Sequence, residues 1–418
     1  MNRFLILVFI LGMLLFSGCR NDGDDGSADA GVSYYQGEPL PVDGTCTSVR
    51  LTAYEAGDSG WCEWRASHDF LPQFVRDGMH TAIAQPWNNG SFEGDEGEAC
   101  GECWEINTVN ATGIVMVNNL CPIEGNPLCS GGHFHFDLST EAAATLGGGG
   151  LDEASARRVP CPVEGSIYVQ VNDANEWGYL RFAPMNHRVP VRRVDVAASP
   201  DGPWVAVERS GGAMHVKNGP TPDEGDGIYF RLTSTLAEQV VSTRPVPYLS
   251  AKGSAHELGI QFTQIYEPAE CAYQPPGDVY IDRFGGIEGV VWQPNPWGDN
   301  SEVKETGSGC RNGSASCLQV QLDTWGGAHF YYRQAFPASA FTTASLWVNA
   351  AADMQLTVAP SNDGERCTEQ RVALTGGQWT EVTFELATAC TGFAQLNGIT
   401  IAGSNTPTSM TLDDIRFE

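Results

Sequence analysis

Positive charge is what this chain has least of. Its 23 Lys and Arg face 51 Asp and Glu, a formal net charge of −28. Phosphate polymers are gripped by clustered cations, so nucleic acid and anionic polymers are excluded as partners. An uncharged polymer such as a glucan suits this surface better than an acidic pectin. A membrane-length apolar run is also missing, since Phe4–Phe16 is too short to span as a helix of the mature chain. Cys100-Gly-Glu-Cys103 has no second CxxC and no His pair at metal spacing after it, which argues against zinc. Charged residues make up only 18%, while Gly (48) and Pro (24) are frequent. That balance favours strands and turns over long helices.

The N-terminus reads as a targeting segment, with Arg3 before the apolar run and Ser17-Gly18-Cys19 after it. Small residues before a Cys resemble a bacterial lipoprotein cleavage site, in which Cys19 is lipidated and the anchor is the one tie to a membrane. Phe16 stands where Leu is usual, so ordinary signal cleavage remains an alternative. Residues 1–19 are read as the leader and 20–33 as an acidic linker. The expected location is a cell-surface (outer-membrane) lipoprotein or the extracellular space, and the expected state is a monomer. Of thirteen cysteines, twelve remain once Cys19 is set aside, enough for six disulfides in an oxidising compartment.

The rest divides into three β-rich units. Residues 34–165 hold seven of those twelve cysteines among short apolar runs and Gly-rich turns, as a small disulfide-stapled β-barrel would. An odd count needs a partner from outside, and Cys271 is the nearby candidate. Residues 166–250 alternate regularly and lack cysteine, which suggests a compact β-sandwich. Residues 251–277 form a connector ending in Pro275-Pro276-Gly277. Residues 278–418 carry about eight strand patterns, the number of a jelly-roll sandwich, with Cys310–Cys317 and Cys367–Cys390 as local pairs. The fold class is mainly β.

One carboxylate stands out. In His135-Phe-Asp-Leu-Ser139, alternation sends Asp137 to the face opposite Phe136 and Leu138. On residues alone it is either a turn former or cap for the helix that follows, or an acid facing a groove.

Several motifs in register resemble the expansins, most closely the bacterial expansin-like proteins. They are Cys100-Gly-Glu-Cys103-Trp-Glu-Ile, Val117-Asn-Asn-Leu-Cys-Pro122, His135-Phe-Asp-Leu-Ser139, Arg157-Arg-Val-Pro-Cys161 and Asn186-His-Arg-Val-Pro-Val. The resemblance covers roughly residues 50–250. It implies a six-stranded double-psi β-barrel, then an immunoglobulin-like β-sandwich that binds cellulose, and non-hydrolytic loosening of cell-wall polysaccharide. It implies that Asp137 lines the polysaccharide groove. Thr52 and Asn119 would hold neighbouring hydroxyls, and Tyr54 and Trp104 would shape the groove. Asn119 stands where many members have Asp. Thr52 and Tyr54 share one side of their strand. Trp61 and Trp64 either line the groove or pack beneath it.

Two enzymatic alternatives use a similar barrel. A family-45-like endoglucanase needs a second carboxylate two residues after Tyr54, where this chain has Ala56. A peptidoglycan lytic transglycosylase similar to rare lipoprotein A would carry a His after Thr81-Ala-Ile, where this chain has Ala84. The third alternative is a catalytically inert carbohydrate-binding scaffold.

Flat glucan is bound by exposed aromatic rings. In the second unit Trp177 and Tyr179 are the candidates; Trp204 is a core residue or a surface plane, and Arg209 and Lys217 add polar contacts. The third unit resembles carbohydrate-binding jelly rolls through Tyr280-Ile-Asp-Arg-Phe and Leu412-Asp-Asp-Ile-Arg-Phe. That resemblance implies a structural Ca2+ held by Asp282 and Asp414, with Glu288 and backbone carbonyls among the remaining ligands; no cofactor is expected for the barrel. Trp292, Trp297 and Trp325 are its candidate glycan contacts, and one of Tyr331 and Tyr332 is expected at the surface.

Overall fold

The computed structural model describes residues 46–89, 97–129, 134–147, 150, 152–223, 226–265, 267–287, 290–311 and 313–418. The leader, Cys19 and the 20–33 linker lie outside them.

Six strands close into a barrel: β1 (Thr47–Tyr54), β2 (His80–Ala84), β3 (Cys103–Asn107), β4 (Thr112–Cys121), β5 (His135–Ser139) and β6 (Asp152–Val159). The order around it is β1-β5-β2-β4-β3-β6. β1 runs parallel to β5 and β2 parallel to β4; the other neighbours are antiparallel. This is the expected mainly-β, double-psi barrel. Inward-facing Leu51, Ile106, Val115, Phe136 and Leu138 fill its core. Helix α1 (Gln73–Arg76) precedes β2, and helix α2 (Thr140–Leu146) follows β5. Ser139 caps α2, its Oγ accepting from Ala142 N at 3.0 Å, and Gly147 closes it at φ 71°. Asp137 is therefore not the cap.

The second unit is a sandwich of two five-stranded sheets around Ile167, Val171, Phe182, Val196 and Phe230. It extends past residue 250: Ala255–Glu257, expected in the connector, is an edge strand on Tyr168–Ala174, and Leu258 and Phe262 are core residues. The third unit is a sandwich of two six-stranded sheets, in keeping with the jelly-roll expectation.

The units are joined by more than the chain. A satellite core of Trp64, Leu71, Val75, Met116, Val163, Ala183 and Met185 lies where barrel and sandwich meet, so Trp64 is a packing residue. Arg181 Nε donates to Glu63 at 2.8 Å across the same boundary. At Gly212 any Cβ would sit 2.0 Å from the Trp61 carbonyl oxygen, so glycine alone permits this approach. The third unit meets the barrel through Tyr332, fully buried, whose hydroxyl donates to Glu153 of β6. Cys46–Cys271 staples the connector to the barrel, as the cysteine count requires. The other five disulfides are Cys62–Cys100, Cys103–Cys161, Cys121–Cys129, Cys310–Cys317 and Cys367–Cys390. Cys100 and Cys103 are thus disulfide sulfurs.

Glu98 is only 3% exposed, next to Gly97, whose carbonyl accepts from Arg209 of the second unit. Burial first, then the charge of Glu102, pushes its carboxyl up to about 7, against Arg209, Arg192 and Arg158. A folded-state pKa above the unfolded one means the folded chain holds this proton more tightly. The resulting stabilisation is complete below the ordinary carboxylate pKa and disappears as pH rises through about 7. A shift of that size corresponds to about 3 kcal/mol. Thermal melts of the wild type and Glu98→Gln at pH 5 and pH 8 should show the variant losing less stability between the two.

Candidate functional site

The parallel register of β1 on β5 pairs Arg50 with His135, Thr52 with Asp137, and Tyr54 with Ser139. Phe136 and Leu138 point into the core, so Asp137 stands on the opposite face, half-buried. Its Oδ1 accepts from Thr52 Oγ1 at 2.6 Å. Its Oδ2 lies 3.6 Å from Cys121 Sγ, in the Cys121–Cys129 disulfide. The Thr81 hydroxyl donates to the Asp137 backbone carbonyl at 2.9 Å and pins the strand from the β2 side.

Asn119, on β4, donates from Nδ2 to the Tyr54 hydroxyl at 3.1 Å. Its Oδ1 accepts from Trp61 N at 2.8 Å and Leu120 N at 2.9 Å. The amide therefore ties the Trp61 loop, β4 and the Tyr54 ring together. Trp61 and Tyr54 are both partly exposed.

Burial raises Asp137 above its ordinary carboxylate value, and the Thr52 hydrogen bond opposes that rise. No second carboxylate among the described residues is a cause of the shift. Tyr54 is raised too, by burial first, with the Asn119 hydrogen bond lowering it and the Asp137 charge adding to the rise. A group of three ligand-type atoms, Cys121, Cys129 and Asp137, gathers here. Two are disulfide sulfurs without a thiolate to offer, so this is not a metal centre.

The structure brings Asp137, Thr52, Tyr54 and Asn119 together as expected, with two corrections. Thr52 is only 5% exposed and its one proton goes to Asp137, so it supports the acid instead of touching a sugar. Trp104 is buried in the barrel core, edge-on to Phe134 and Phe136, with Nε1 donating to Glu102 at 3.1 Å. It shapes no groove, because it shares the inward face of β3 with Ile106. His135 was missed: the His-Phe-His-Phe alternation places it on the side of Asp137, and that signal was present in the sequence.

On the second unit, Trp177 is 77% exposed and Tyr179 partly so. Both sit on one turn, where Asn175 Oδ1 accepts from Trp177 N at 2.9 Å and Tyr179 N at 3.2 Å. Gly178, at φ 85°, allows the turn. Trp204 lies half-buried under the Arg231 guanidinium, 4.8 Å from its ring centroid. Arg209 is spent on structure, donating to the carbonyls of Gly97 and Val191.

On the third unit, Trp297 and Tyr331 line a concavity of about 430 Å3 with His329, Asp363, Arg366 and Asn397. Tyr331 is the partly exposed member of its pair, as alternation requires. Trp325 is 69% exposed and outside that concavity. Trp292 is a correction: it is fully buried, stacked on Phe417, and its Nε1 donates to the Pro276 carbonyl. The calcium expectation also meets a different arrangement. Asp414 is held by Arg311 and Arg416, and Asp282 accepts from Ser316 N at 2.9 Å. Two guanidiniums thus pair with the Asp414 carboxylate. Glu288 lies outside the described residues.

Asn119→Ala would remove the partner of three groups at once: Tyr54 Oη, Trp61 N and Leu120 N. An expected loss of about 1–3 kcal/mol is checked by chemical denaturation.

No family model matches the chain. It is 35% identical over 161 residues to Expansin-like protein 2 of Dictyostelium discoideum, covering 37% of this chain and 36% of that protein. It is 29% identical over 160 residues to Expansin-like protein 3 of the same organism, covering 37% and 46%. The chain thus spans about a third to a half of the length of these relatives. Among solved structures, Clavibacter michiganensis expansin aligns at 22% identity with a TM-score of 0.41, over 53% of this chain and 100% of that one. A family 11 carbohydrate-binding module of Clostridium thermocellum aligns at 12% identity and a TM-score of 0.25, over 34% and 95%. Over 161 residues, this chain is similar to an expansin-like protein.

Proposed function

We propose that this is an exported, expansin-like protein that binds a cellulose-like glucan network and loosens it without hydrolysis. The observation that carries the reading is one acid, Asp137, at a half-buried position, backed by Thr52 and flanked by the Cys121–Cys129 disulfide, with no second carboxylate among the described residues contributing to its shift. Inverting glycoside hydrolysis needs an acid and a base about 6.5–9.5 Å apart, with water between them. Ala56 occupies the position expected of the base, and Glu55, just past the end of β1, is exposed. A single buried carboxylate can still do mechanical work. It offers a sugar hydroxyl a charge-assisted bond of about 1.5–3 kcal/mol. That outweighs one neutral bond between glucan chains, so local pairs exchange without any covalent bond breaking.

Trp177 with Tyr179, and Trp297 with Tyr331, supply further stacking surfaces on the same chain. Tethered sites act at high effective concentration, so modest affinities at each suffice. Six disulfides support an oxidising location, and lipidation at Cys19 would keep the protein at a cell surface. Nothing in the site favours peptidoglycan over glucan.

A paper-weakening or creep assay tests the reading. Asp137→Ala should bind cellulose as the wild type does and lose weakening. If both proteins bind and neither weakens, the barrel is an inert scaffold. Release of reducing sugar from soluble glucan by the wild type, absent in Asp137→Ala, would make it a hydrolase. In pull-downs on the same cellulose, Trp297→Ala should lower retention about tenfold, the loss of one stacked ring at about 1–1.5 kcal/mol.

A further inference from the structure

The rear of Asp137 is more highly organised than its front. Alternation along β5 puts His135 on the same side as Asp137, and the register with β1 sets Arg50 and Thr52 beside them. The four side chains meet in sequence. Arg50 Nη2 lies 3.3 Å from His135 Nδ1, His135 Nε2 lies 2.7 Å from Thr52 Oγ1, and Thr52 Oγ1 lies 2.6 Å from Asp137 Oδ1. His135 is fully buried and Arg50 and Thr52 nearly so, so bulk water does not compete for these contacts.

Counting donors sets the direction of the chain. A guanidinium only donates, so His135 Nδ1 must present its lone pair to Arg50. A neutral imidazole in that state carries its proton on Nε2, and Nε2–H then donates to Thr52 Oγ1. Thr52 has one proton, which is left for Asp137 Oδ1. In the other tautomer the sense reverses at each step: Arg50 would face an N–H, and Thr52 would donate to His135. Asp137 Oδ1 would then face only a lone pair. Arg50 is itself anchored by donating to the Leu128 carbonyl, within the loop that Cys121–Cys129 closes. The sulfur of Cys121 flanks the other carboxylate oxygen.

We propose that His135 and Arg50 are positioning residues: they fix the Thr52 proton on Oδ1 of Asp137 and leave Oδ2 as the oxygen that accepts from the polymer. The proposal rests on the reading of Asp137 as the polymer-contacting acid. It adds that the carboxylate is pre-oriented by a one-way hydrogen-bond chain starting at a buried arginine. The cost of orienting it is then met during folding and not at each encounter with a glucan.

The test uses the full chain, labelled with 15N-histidine, at pH 7, with the His135 signals assigned by their loss in His135→Gln. Nε2 should be protonated and Nδ1 should have the shift of a nitrogen bearing a lone pair. Protonation at Nδ1, alone or together with Nε2, overturns the proposal. Should His135→Gln fail to fold, 15N–13C-labelled wild type gives the assignment instead. Thr52→Val should move the 13C-detected titration of Asp137 upward, and Thr52→Ser should restore it; no movement in Thr52→Val also overturns it. Weakening of paper by Thr52→Val should fall about tenfold, the equivalent of one hydrogen bond to a charge, with cellulose binding unchanged. The two layers fail separately. Expected spectra together with full weakening by Asp137→Ala would keep the hydrogen-bond chain and remove the polymer reading. Lost weakening in Asp137→Ala with His135 protonated at Nδ1 would do the reverse.

Discussion

The parallel pairing of β1 with β5 is the constraint on which the site depends. Strand side chains alternate, so a slip of one residue would carry Asp137 into the core and Phe136 into the groove. Burial of Phe136 and Leu138 on one side, against Leu51 and the rest of the barrel core, holds the register. The same pairing delivers Thr52 to Asp137 and Arg50 to His135. Hydrophobic burial on the inner face thus sets the geometry of polar contacts on the outer one.

A carboxylate in this setting is suited to holding. Partial burial makes its charge more costly, and a neighbouring hydroxyl returns part of that cost. Cys121 of the Cys121–Cys129 disulfide lies beside this carboxylate, and Asn119 braces the nearby Tyr54 ring. The surrounding units are fixed to this barrel. The Trp64 core joins it to the second unit, Cys46–Cys271 to the connector, and Tyr332 to the third unit. The described residues fall within one compact unit, so sites on different sandwiches are presented together.

Much of this was legible in the chain. Alternation at His135–Ser139 set the acid on the face opposite Phe136 and Leu138, and cysteine parity called for Cys271. The aromatic residues were legible only as a set. Trp104 and Trp292 read like Trp177 and Trp297 in sequence, yet the first two are buried and the last two reach the surface. Alternation tells which residues share a face but not which face is covered, and covering is decided by strands far away in the chain. The surroundings of Asp414 were hidden for a related reason: Arg311, about a hundred residues away in the chain, reaches its carboxylate.

What the sequence determined by itself was local: strand periods, turns, the helix cap region, the charge balance and the parity of the cysteines, all set by neighbours within a few residues. What only the tertiary structure decided was partnership. Thr52 meets Asp137 and His135 across more than eighty residues, and Tyr332 meets Glu153 across a boundary between units. A side chain with one proton and several possible acceptors has no defined role until burial removes water and leaves it a fixed set of partners.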